Sequence, residues 1–414
     1  MNENETTVKE VDEDLTADGH LSGVELDSES EPQDPFDPEQ ISIDTKVVPM
    51  DTLIRRILQG SIRLAPAFQR NVVWDLERKS RLIESMMLNI PLPMFYVAAD
   101  EKGNWDVVDG LQRLTTIKNY ILGEDFLKSR EESQRGRGFR LASLEFWGSE
   151  FDNKTFKELD TDIVNRILET EFRFTIINPG TPEVVKRNIF KRINTGGMPL
   201  TLQEIRHALY QGQSTNILLE LSHNQQFQFA TGGSVDDSRM AARELVLRFL
   251  SFSLRSHKDY SKASEMDTFL SDTMRIMNVL PNPSQSDLLK IFKTKPYPTI
   301  RYNDIPSLKR RFITGMQRSF EIFSNHAFRR SAGGQRRSPI NKTLFEVWGN
   351  LLSDLTSDQH ALLKKNRVSF LNQYESTLLS DAGFIDIISR DSWKYTAVQN
   401  RYDKLGNFLS NYVI

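Results

Sequence analysis

The spacing of apolar and polar residues differs between the two halves of the chain. Up to about residue 210, short apolar runs of strand type alternate with segments of helical period. The runs Met94 to Ala99 and Trp105 to Val108 flank the turn-rich segment Asp100 to Asn104, which predicts two strands joined by a tight connection. A helix is then predicted from Leu111 to Leu122, because Gly123 stands at the usual C-terminal position. This half of the chain therefore predicts an α/β domain.

After Gly212 the pattern contains no convincing strand, and helical periods dominate to the end of the chain. Loops between these helices are expected at Pro281 to Pro298 and at Arg329 to Arg337. The amphipathic stretches lie near residues 238–254, 265–279, 305–324, 341–356, 360–379 and 392–412. The predicted fold class is α+β, with an α/β domain over residues 43–212 and an all-helical domain over residues 213–414.

Signals at helix ends support this division. Asp75 is placed to cap a helix, Thr181 with Pro182 begins another, and Thr201 with Glu204 forms the pattern of a capping box. The first ordered segment is expected near Thr45. Apolar residues then recur at helix-like spacing until Gly60, namely Val47, Val48, Leu53, Ile54 and Ile57.

Charge is distributed unevenly along the chain. Residues 1–40 contain 14 acidic residues and one lysine, a net charge of −13, and the whole chain has a net charge of −3. The remaining residues therefore carry a net charge of +10, which suits a polyanionic partner, although scattered surface lysines and a solubilising tail would explain it equally well. Residues 1–42 contain few large apolar side chains, which predicts a disordered acidic tail.

The composition excludes several classes of protein. The chain contains no cysteine, which removes disulfides, thiolate nucleophiles and Cys-based zinc sites. No apolar run reaches the roughly 18 residues that a membrane-spanning helix needs, and the N-terminus is acidic where a secretory signal would be basic. The expected location is therefore the cytoplasm, without a membrane partner.

Three clusters join basic and amide side chains to a turn or a helix end. The first runs from Pro66 to Trp74 and carries Gln69 and Arg70. The second is Val107 to Arg113, where a strand breaks at Gly110 into a helix that begins with Leu111, Gln112 and Arg113. The third is Phe190 to Gly197, a helix end with Arg192 and Asn194 before a double-glycine turn.

The second cluster has the plainest physical interpretation. A helix N-terminus presents unpaired backbone N–H groups and a partial positive charge, so it stabilises an anion. Gly110 allows close approach, while Gln112 and Arg113 add side-chain donors. Asp109 would hold Mg²⁺, orient a water molecule or cap the helix. An ordinary capped helix with an exposed arginine would fit the same pattern.

Together the three clusters resemble the GmrSD N-terminal domain family, which is known by an Asp-Gly-Gln-Gln-Arg signature and has a ParB/sulfiredoxin-like fold. The resemblance covers roughly residues 45–280. It rests on Pro66 to Trp74, on Asp109 to Arg113 with Leu114 to Ile117, and on Phe190 to Gly197 with Leu200, Glu204 and Arg206.

The resemblance implies an NTP-binding protein, and in characterised relatives an NTP-hydrolysing one, coupled to recognition of modified phage DNA in bacterial restriction. The nucleotide, of unknown base, would be used with Mg²⁺. Asp109, Gln112 and Arg113 would be catalytic, and Gly110 would belong to the same site. Gln69, Arg70, Arg192 and Asn194 would border it.

Two departures from the family pattern keep other functions open. Leu111 replaces the first glutamine of the signature, which favours a non-enzymatic DNA-binding or adaptor protein as the alternative. Restriction relatives often carry or partner a His-Asn-His nuclease, but the six histidines here are scattered without metal-ligand spacing. Cutting would then need a separate nuclease subunit or a site that sequence patterns do not reveal. Self-association is also left open.

Other motifs point to less specific chemistry. The chain has no Walker-type glycine loop, no Gly-x-Ser-x-Gly elbow and no His-Glu-x-x-His helix. Lys309 to Arg311 and Arg329 to Arg337 are basic segments of the type that contact a DNA backbone. Solvated charge on helix surfaces gives the same pattern.

Overall fold

The computed structural model describes residues 12–16, 19–26, 41–64, 74–193, 200–262, 264–293, 295–331, 333–389 and 392–414. The chain divides into two compact units. We call Pro35–Leu200 the α/β unit, and Met1–Asp34 together with Thr201–Ile414 the helical unit. The division falls at Thr201, earlier than the predicted start of the helical domain at residue 213. None of the helices in the described ranges is both long and apolar enough to cross a membrane.

The described strands and helices follow one another in an order that confirms the α+β class. The strands are β1 (Glu13–Leu15), β2 (Leu21–Glu25), β3 (Ile43–Pro49), β4 (Ile62–Arg63), β5 (Phe95–Ala99), β6 (Trp105–Asp109) and β7 (Glu171–Ile177). The helices of the α/β unit are α1 (Met50–Leu58), α2 (Leu76–Met87), α3 (Leu111–Leu122), α4 (Glu124–Ser129), α5 (Gly148–Phe151), α6 (Thr161–Leu168) and α7 (Glu183–Ile193). The helices of the helical unit are α8 (Leu202–Leu209), α9 (Gln213–Ser222), α10 (Gln225–Thr231), α11 (Ala241–Leu254), α12 (Met266–Val279), α13 (Gln285–Phe292), α14 (Ile305–Phe323), α15 (Lys342–Asp354), α16 (Ser357–Lys365), α17 (Arg367–Ser380), α18 (Ala382–Ser389) and α19 (Tyr395–Ser410).

The α/β unit is built on a mixed five-stranded sheet in the order β3-β7-β5-β6-β4. The predicted pair of strands, β5 and β6, is antiparallel as expected from its tight connection. β7 runs parallel to β5 and antiparallel to β3, while β4 runs parallel to β6. The end of β6 therefore lies at the same edge of the sheet as the start of β5.

One face of the sheet, the inner face, packs against helices. Phe95, Phe172 and Phe174 are completely or almost completely buried there, and the rings of Phe95 and Phe174 stack 5.2 Å apart. α2, α3 and α6 contribute apolar residues to the same core. Because successive residues of a strand point to opposite faces, the residues next to these phenylalanines lie on the other face, which we call the outer face.

Several predicted helix boundaries are confirmed. Asp75 caps α2 by accepting a hydrogen bond from the backbone N–H of Arg78 at 2.8 Å. α3 spans the predicted residues and ends before Gly123. Thr201 and Glu204 form the predicted capping box of α8. Local side-chain chemistry was therefore sufficient to place these ends.

Other predicted elements were wrong. The helix-like spacing after Thr45 conceals β3, which pairs with β7 along its whole length before α1 begins at Met50. The expected loop from Pro281 to Pro298 contains α13, which Ser284 caps. The single stretch near residues 360–379 is divided between α16 and α17. In the segment after Thr45, pairing with a neighbouring strand determined the structure, although the spacing of its apolar residues is helix-like.

The helical unit encloses a buried charge network as well as an apolar core. Glu244 lies near Arg206, Arg248 and Lys342, at 3.9, 3.3 and 3.5 Å. Burial alone would raise the pKa of Glu244, but Lys342, Arg248 and Arg206 outweigh this effect and hold the pKa at about 2. The carboxylate of Glu244 therefore stays ionised, and its ion pairs link α8, α11 and α15.

The predicted disorder of residues 1–42 is wrong for the described residues 12–16 and 19–26. β1 and β2 form an antiparallel hairpin whose Val24 is fully buried in the helical unit's core. The carboxylate of Glu25 accepts hydrogen bonds from Arg330 at 2.5 Å and from Asn341 at 2.6 Å. The average composition of this 42-residue acidic segment could not reveal that a few of its residues fit a specific docking site.

Candidate functional site

The end of β6 places Asp109 on the outer face of the sheet. Val97 lies opposite Val107, but the pairing then shifts by one residue, so that Tyr96 lies opposite Asp109 rather than Val108. Such a bulge changes the direction of the side chains that follow it. The carboxylate of Asp109 is consequently presented beside Tyr96, with its side chain 38% exposed.

Gly110 makes the turn from β6 into α3 in a backbone conformation that favours glycine. Its φ is +91°, and a Cβ atom at this position would lie 2.3 Å from Cδ1 of Phe95. α3 begins without a hydrogen bond from a capping side chain. The backbone N–H groups of its first turn therefore retain the capacity to bind an anion.

Arg113 does not project freely from α3. Its guanidinium donates hydrogen bonds to the backbone carbonyl oxygens of Pro93 and Met94 and to Oδ2 of Asp109, the last at 2.8 Å. The group also stacks over the ring of Phe95, with Cζ 4.3 Å from the ring centroid. Burial lowers the pKa of Arg113, and Asp109 opposes that effect. Arg113 thus fixes the turn before β5, the end of β6 and the start of α3 relative to one another.

The structure brings together only some of the predicted site residues. Asp109, Gly110 and Arg113 are in one cluster, and the half-buried Gln112 lies beside them on the first turn of α3. Arg192 is exposed in the last turn of α7, and no described contact joins it to the cluster. Gln69, Arg70 and Asn194 lie outside the described residues.

Sequence patterns missed the residues that hold the cluster in place. Phe95 supports both Gly110 and the guanidinium of Arg113, while Pro93 and Met94 contribute through their carbonyl oxygens. Nothing in the local sequence indicates these roles, because the contacts join segments about 20 residues apart. The bulge in β6 likewise becomes visible only when the two strands are paired.

Leu111, at the position where the resemblance leads us to expect a glutamine, packs against the core of the α/β unit. The position therefore serves packing in this chain. Glu204 and Arg206, which also carried the resemblance, lie in α8. Glu204 pairs with Arg239 at 3.2 Å, and the fully buried Arg206 pairs with Asp267 at 2.5 Å. These two residues stabilise the helical unit.

The two basic segments have mainly structural contacts. Arg311 is buried and paired with Asp354, and Lys309 lies 2.5 Å from Glu220. Arg329 is buried and donates to the carbonyl oxygen of Thr231 at 2.8 Å, while Arg330 is paired with Glu25. A DNA-contacting role for these four cations is not supported.

A metal ion at Asp109 would need ligands beyond a protein cluster. Within the described ranges, no group of three or more His, Cys, Asp or Glu side chains is arranged to hold a metal. Mg²⁺ that accompanies a nucleotide is commonly bound by one or two carboxylates, phosphate oxygens and water. A single partly exposed carboxylate is compatible with that type of binding.

Comparison with known proteins finds a match for this region. Residues 52–211 match the family model described as GmrSD restriction endonuclease, N-terminal domain. No curated protein and no solved structure matches the chain. The match includes β6, Gly110 and α3, and it extends through α8. Residues 52–211 are therefore similar to this family, and the resemblance that the three sequence clusters predicted is confirmed.

Proposed function

We propose that this chain binds and hydrolyses a nucleoside triphosphate at the junction of β6 and α3, as the DNA-sensing component of a bacterial anti-phage restriction system. The observation that carries the proposal is the junction itself. Gly110 begins α3 without a capping side chain, directly after the partly exposed carboxylate of Asp109. The family match supports the restriction context.

The first turn of α3 would bind phosphate oxygens through backbone N–H groups. The N–H of Leu114 donates to the carbonyl oxygen of Gly110 at 2.9 Å, whereas none of the described residues accepts a hydrogen bond from the N–H groups of Leu111, Gln112 and Arg113. These three groups would bind the ligand. Gln112 adds an amide side chain on the same turn. Donors of this type stabilise the charge that develops on phosphate oxygens during transfer.

Asp109 would orient the attacking water or bind Mg²⁺. The Arg113 contact at 2.8 Å fixes the carboxylate and compensates part of its charge, which reduces its repulsion of phosphate. When bound with the nucleotide, Mg²⁺ would supply further neutralisation of phosphate charge. The reaction is attack by water on the phosphoanhydride, which releases a phosphate group.

Arg113 takes a positioning role in this proposal. Its donors are directed at Pro93, Met94 and Asp109, and its side chain is only 12% exposed. It therefore acts through the geometry of the junction. Any cation that contacts the phosphates directly would come from another element.

A phosphate-release assay with each NTP and Mg²⁺, with and without DNA, tests the proposal. The wild-type protein should release phosphate, and Asp109→Asn should release it at least tenfold more slowly while still binding nucleotide in calorimetry. Asp152→Asn, at a carboxylate that accepts from the N–H of Leu144, is a matched control and should retain turnover. Equal turnover of Asp109→Asn and wild type would refute the assignment of Asp109.

A second candidate function is that of a nucleotide-binding adaptor without turnover. It is favoured because Leu111 packs against the core and Arg113 is hydrogen-bonded to Asp109. Such a protein would bind DNA and work with a separate nuclease subunit. It would bind nucleotide in calorimetry but release no phosphate, with or without DNA. Plasmid digestion with Mg²⁺ or Mn²⁺ would show whether the chain cuts DNA by itself.

A further inference from the structure

The outer face of the sheet carries a row of polar and aromatic residues beside Asp109. The strand register places Tyr96 between Asp109 on β6 and Thr175 on β7, and places Thr45 on β3 next to Thr175. Residues directly opposite one another on paired strands share a face. Met94 also belongs to this face, since its sulfur accepts a hydrogen bond from the Thr175 hydroxyl at 3.4 Å.

This part of the outer face is accessible. Met94 is 42% exposed and Val47 is 52% exposed, while Tyr96 is half-buried. Val47 lies opposite Arg173, whose side chain is also exposed. The row therefore offers an aromatic ring and apolar surface next to the carboxylate of Asp109.

Arg173 is a cation at this end of the outer face. It precedes Thr175 by two residues, so it lies toward the edge of the sheet where β5 starts and β6 ends. No residue in the described ranges forms an ion pair or hydrogen bond with its guanidinium. Unlike Arg113, it is free to contact a ligand.

The distance between the strands that carry Asp109 and Arg173 suits a bound nucleotide. Neighbouring strands are about 4.8 Å apart, so β6 and β7 are separated by about 10 Å with β5 between them. An arginine side chain reaches across much of that distance. A triphosphate near Asp109 and Arg173 would leave its nucleoside over Tyr96 and Met94.

We propose that Arg173 pairs with the phosphates of the bound nucleotide and that Tyr96 contacts its base on the outer face of the sheet. The inference rests on the proposed function, and charge complementarity supports the choice of occupant. A guanidinium binds phosphate oxygens in a bidentate manner. An aromatic side chain stacks on any base, because every base has a π-face.

Calorimetry with ATP and with inorganic tripolyphosphate, each with Mg²⁺, separates the two roles. Arg173→Gln should weaken the binding of both ligands about tenfold or more, because both carry the phosphates. Arg166→Gln changes an exposed arginine on α6 and should leave both affinities unchanged. Tyr96→Leu should weaken ATP binding about tenfold but leave tripolyphosphate binding unchanged, and Tyr96→Phe should retain ATP binding because the ring remains.

The outcomes distinguish this inference from the proposed function. If the wild-type protein binds no NTP and no tripolyphosphate, both proposals fail. If the wild-type protein binds nucleotide and folded Arg173→Gln and Tyr96→Leu bind it equally well, the outer-face site is overturned while the proposed function stands. Wild-type affinity of Tyr96→Leu for ATP together with lost affinity for tripolyphosphate would contradict the assignment of the base.

Discussion

At the residue scale, Arg113 shows how one side chain can serve a site without touching a ligand. Its guanidinium joins two carbonyl oxygens, a carboxylate and an aromatic ring, and each contact comes from the edge of the sheet where β6 ends. A lysine carries the same charge but cannot make planar, multiple contacts of this kind. The identity of the residue therefore matters for the geometry of the junction.

Arg113→Lys should destabilise the α/β unit by about 1–3 kcal/mol, because charge-assisted hydrogen bonds and the stacking contact are lost. Urea unfolding measures the change. Arg192→Lys, at an exposed position in α7, is the matched control and should leave the midpoint unchanged. Identical unfolding midpoints for Arg113→Lys and wild type would show that the contacts contribute nothing.

His207 predicts a specific loss of stability in mild acid. Burial, assisted by Arg243, lowers its pKa from 6.5 to about 4. The unfolded chain therefore binds a proton at this residue before the folded protein does. Stability should fall by up to about 3 kcal/mol as the pH decreases from 6.5 to 4.

Chemical unfolding across that pH range measures the loss. His207→Gln should reduce the pH dependence, whatever its effect on stability at neutral pH, while the exposed His223→Gln should preserve it. An unchanged slope in His207→Gln would assign the effect to other groups. Glu244 is expected to act in a lower window, between its ordinary pKa of 4.5 and about 2.

At the element scale, the junction of β6 and α3 depends on a glycine for two separate reasons. Gly110→Ala should cost about 1 kcal/mol for the left-handed backbone and about 1–3 kcal/mol more for the clash with Phe95. Gly103→Ala is the matched control, since its φ is +79° but nothing lies within 4 Å of the added Cβ. Equal losses in urea unfolding for the two variants would disprove the steric part.

The N-terminal hairpin is the second element with a direct test. Val24→Asp should release the hairpin, because a charge cannot be buried in the apolar core without a partner. Glu25 would then become accessible to a glutamate-specific protease, with cleavage detected by mass spectrometry. Leu21→Asp changes a 64% exposed residue of the same strand and should leave Glu25 protected. Protection of Glu25 in Val24→Asp would contradict the importance of this contact.

Sequence patterns predicted elements whose ends carry local chemical signals, such as α2 with Asp75, α3 with Gly123 and α8 with Thr201. They failed for β3, whose side chains are mostly exposed on both faces and thus lack the alternation of a half-buried strand. They also placed Arg113 in the site but not its contacts, because those depend on strand pairing. The resemblance to a family located the junction, and only the three-dimensional structure defined its geometry.

At the scale of the whole molecule, the family match does not coincide with the structural units. It extends to residue 211, whereas the α/β unit ends at Leu200. The matched α8 belongs to the helical unit, where Arg206 contributes to the buried charge network. Residues before and after the α/β unit belong to one unit, and Val24 of the N-terminal hairpin is part of its core. Removing the N-terminal segment is therefore expected to affect the helical unit.

Hydrogen exchange with and without NTP and Mg²⁺ tests whether a nucleotide binds where β6 meets α3. A bound triphosphate should slow exchange of the backbone amides of Leu111 to Arg113, because these groups have no acceptor within the helix. Amides in the middle of α6 should be unchanged and serve as the internal reference. A nucleotide that binds by calorimetry but leaves exchange at Leu111 to Arg113 unaltered would show that it does not bind at this junction.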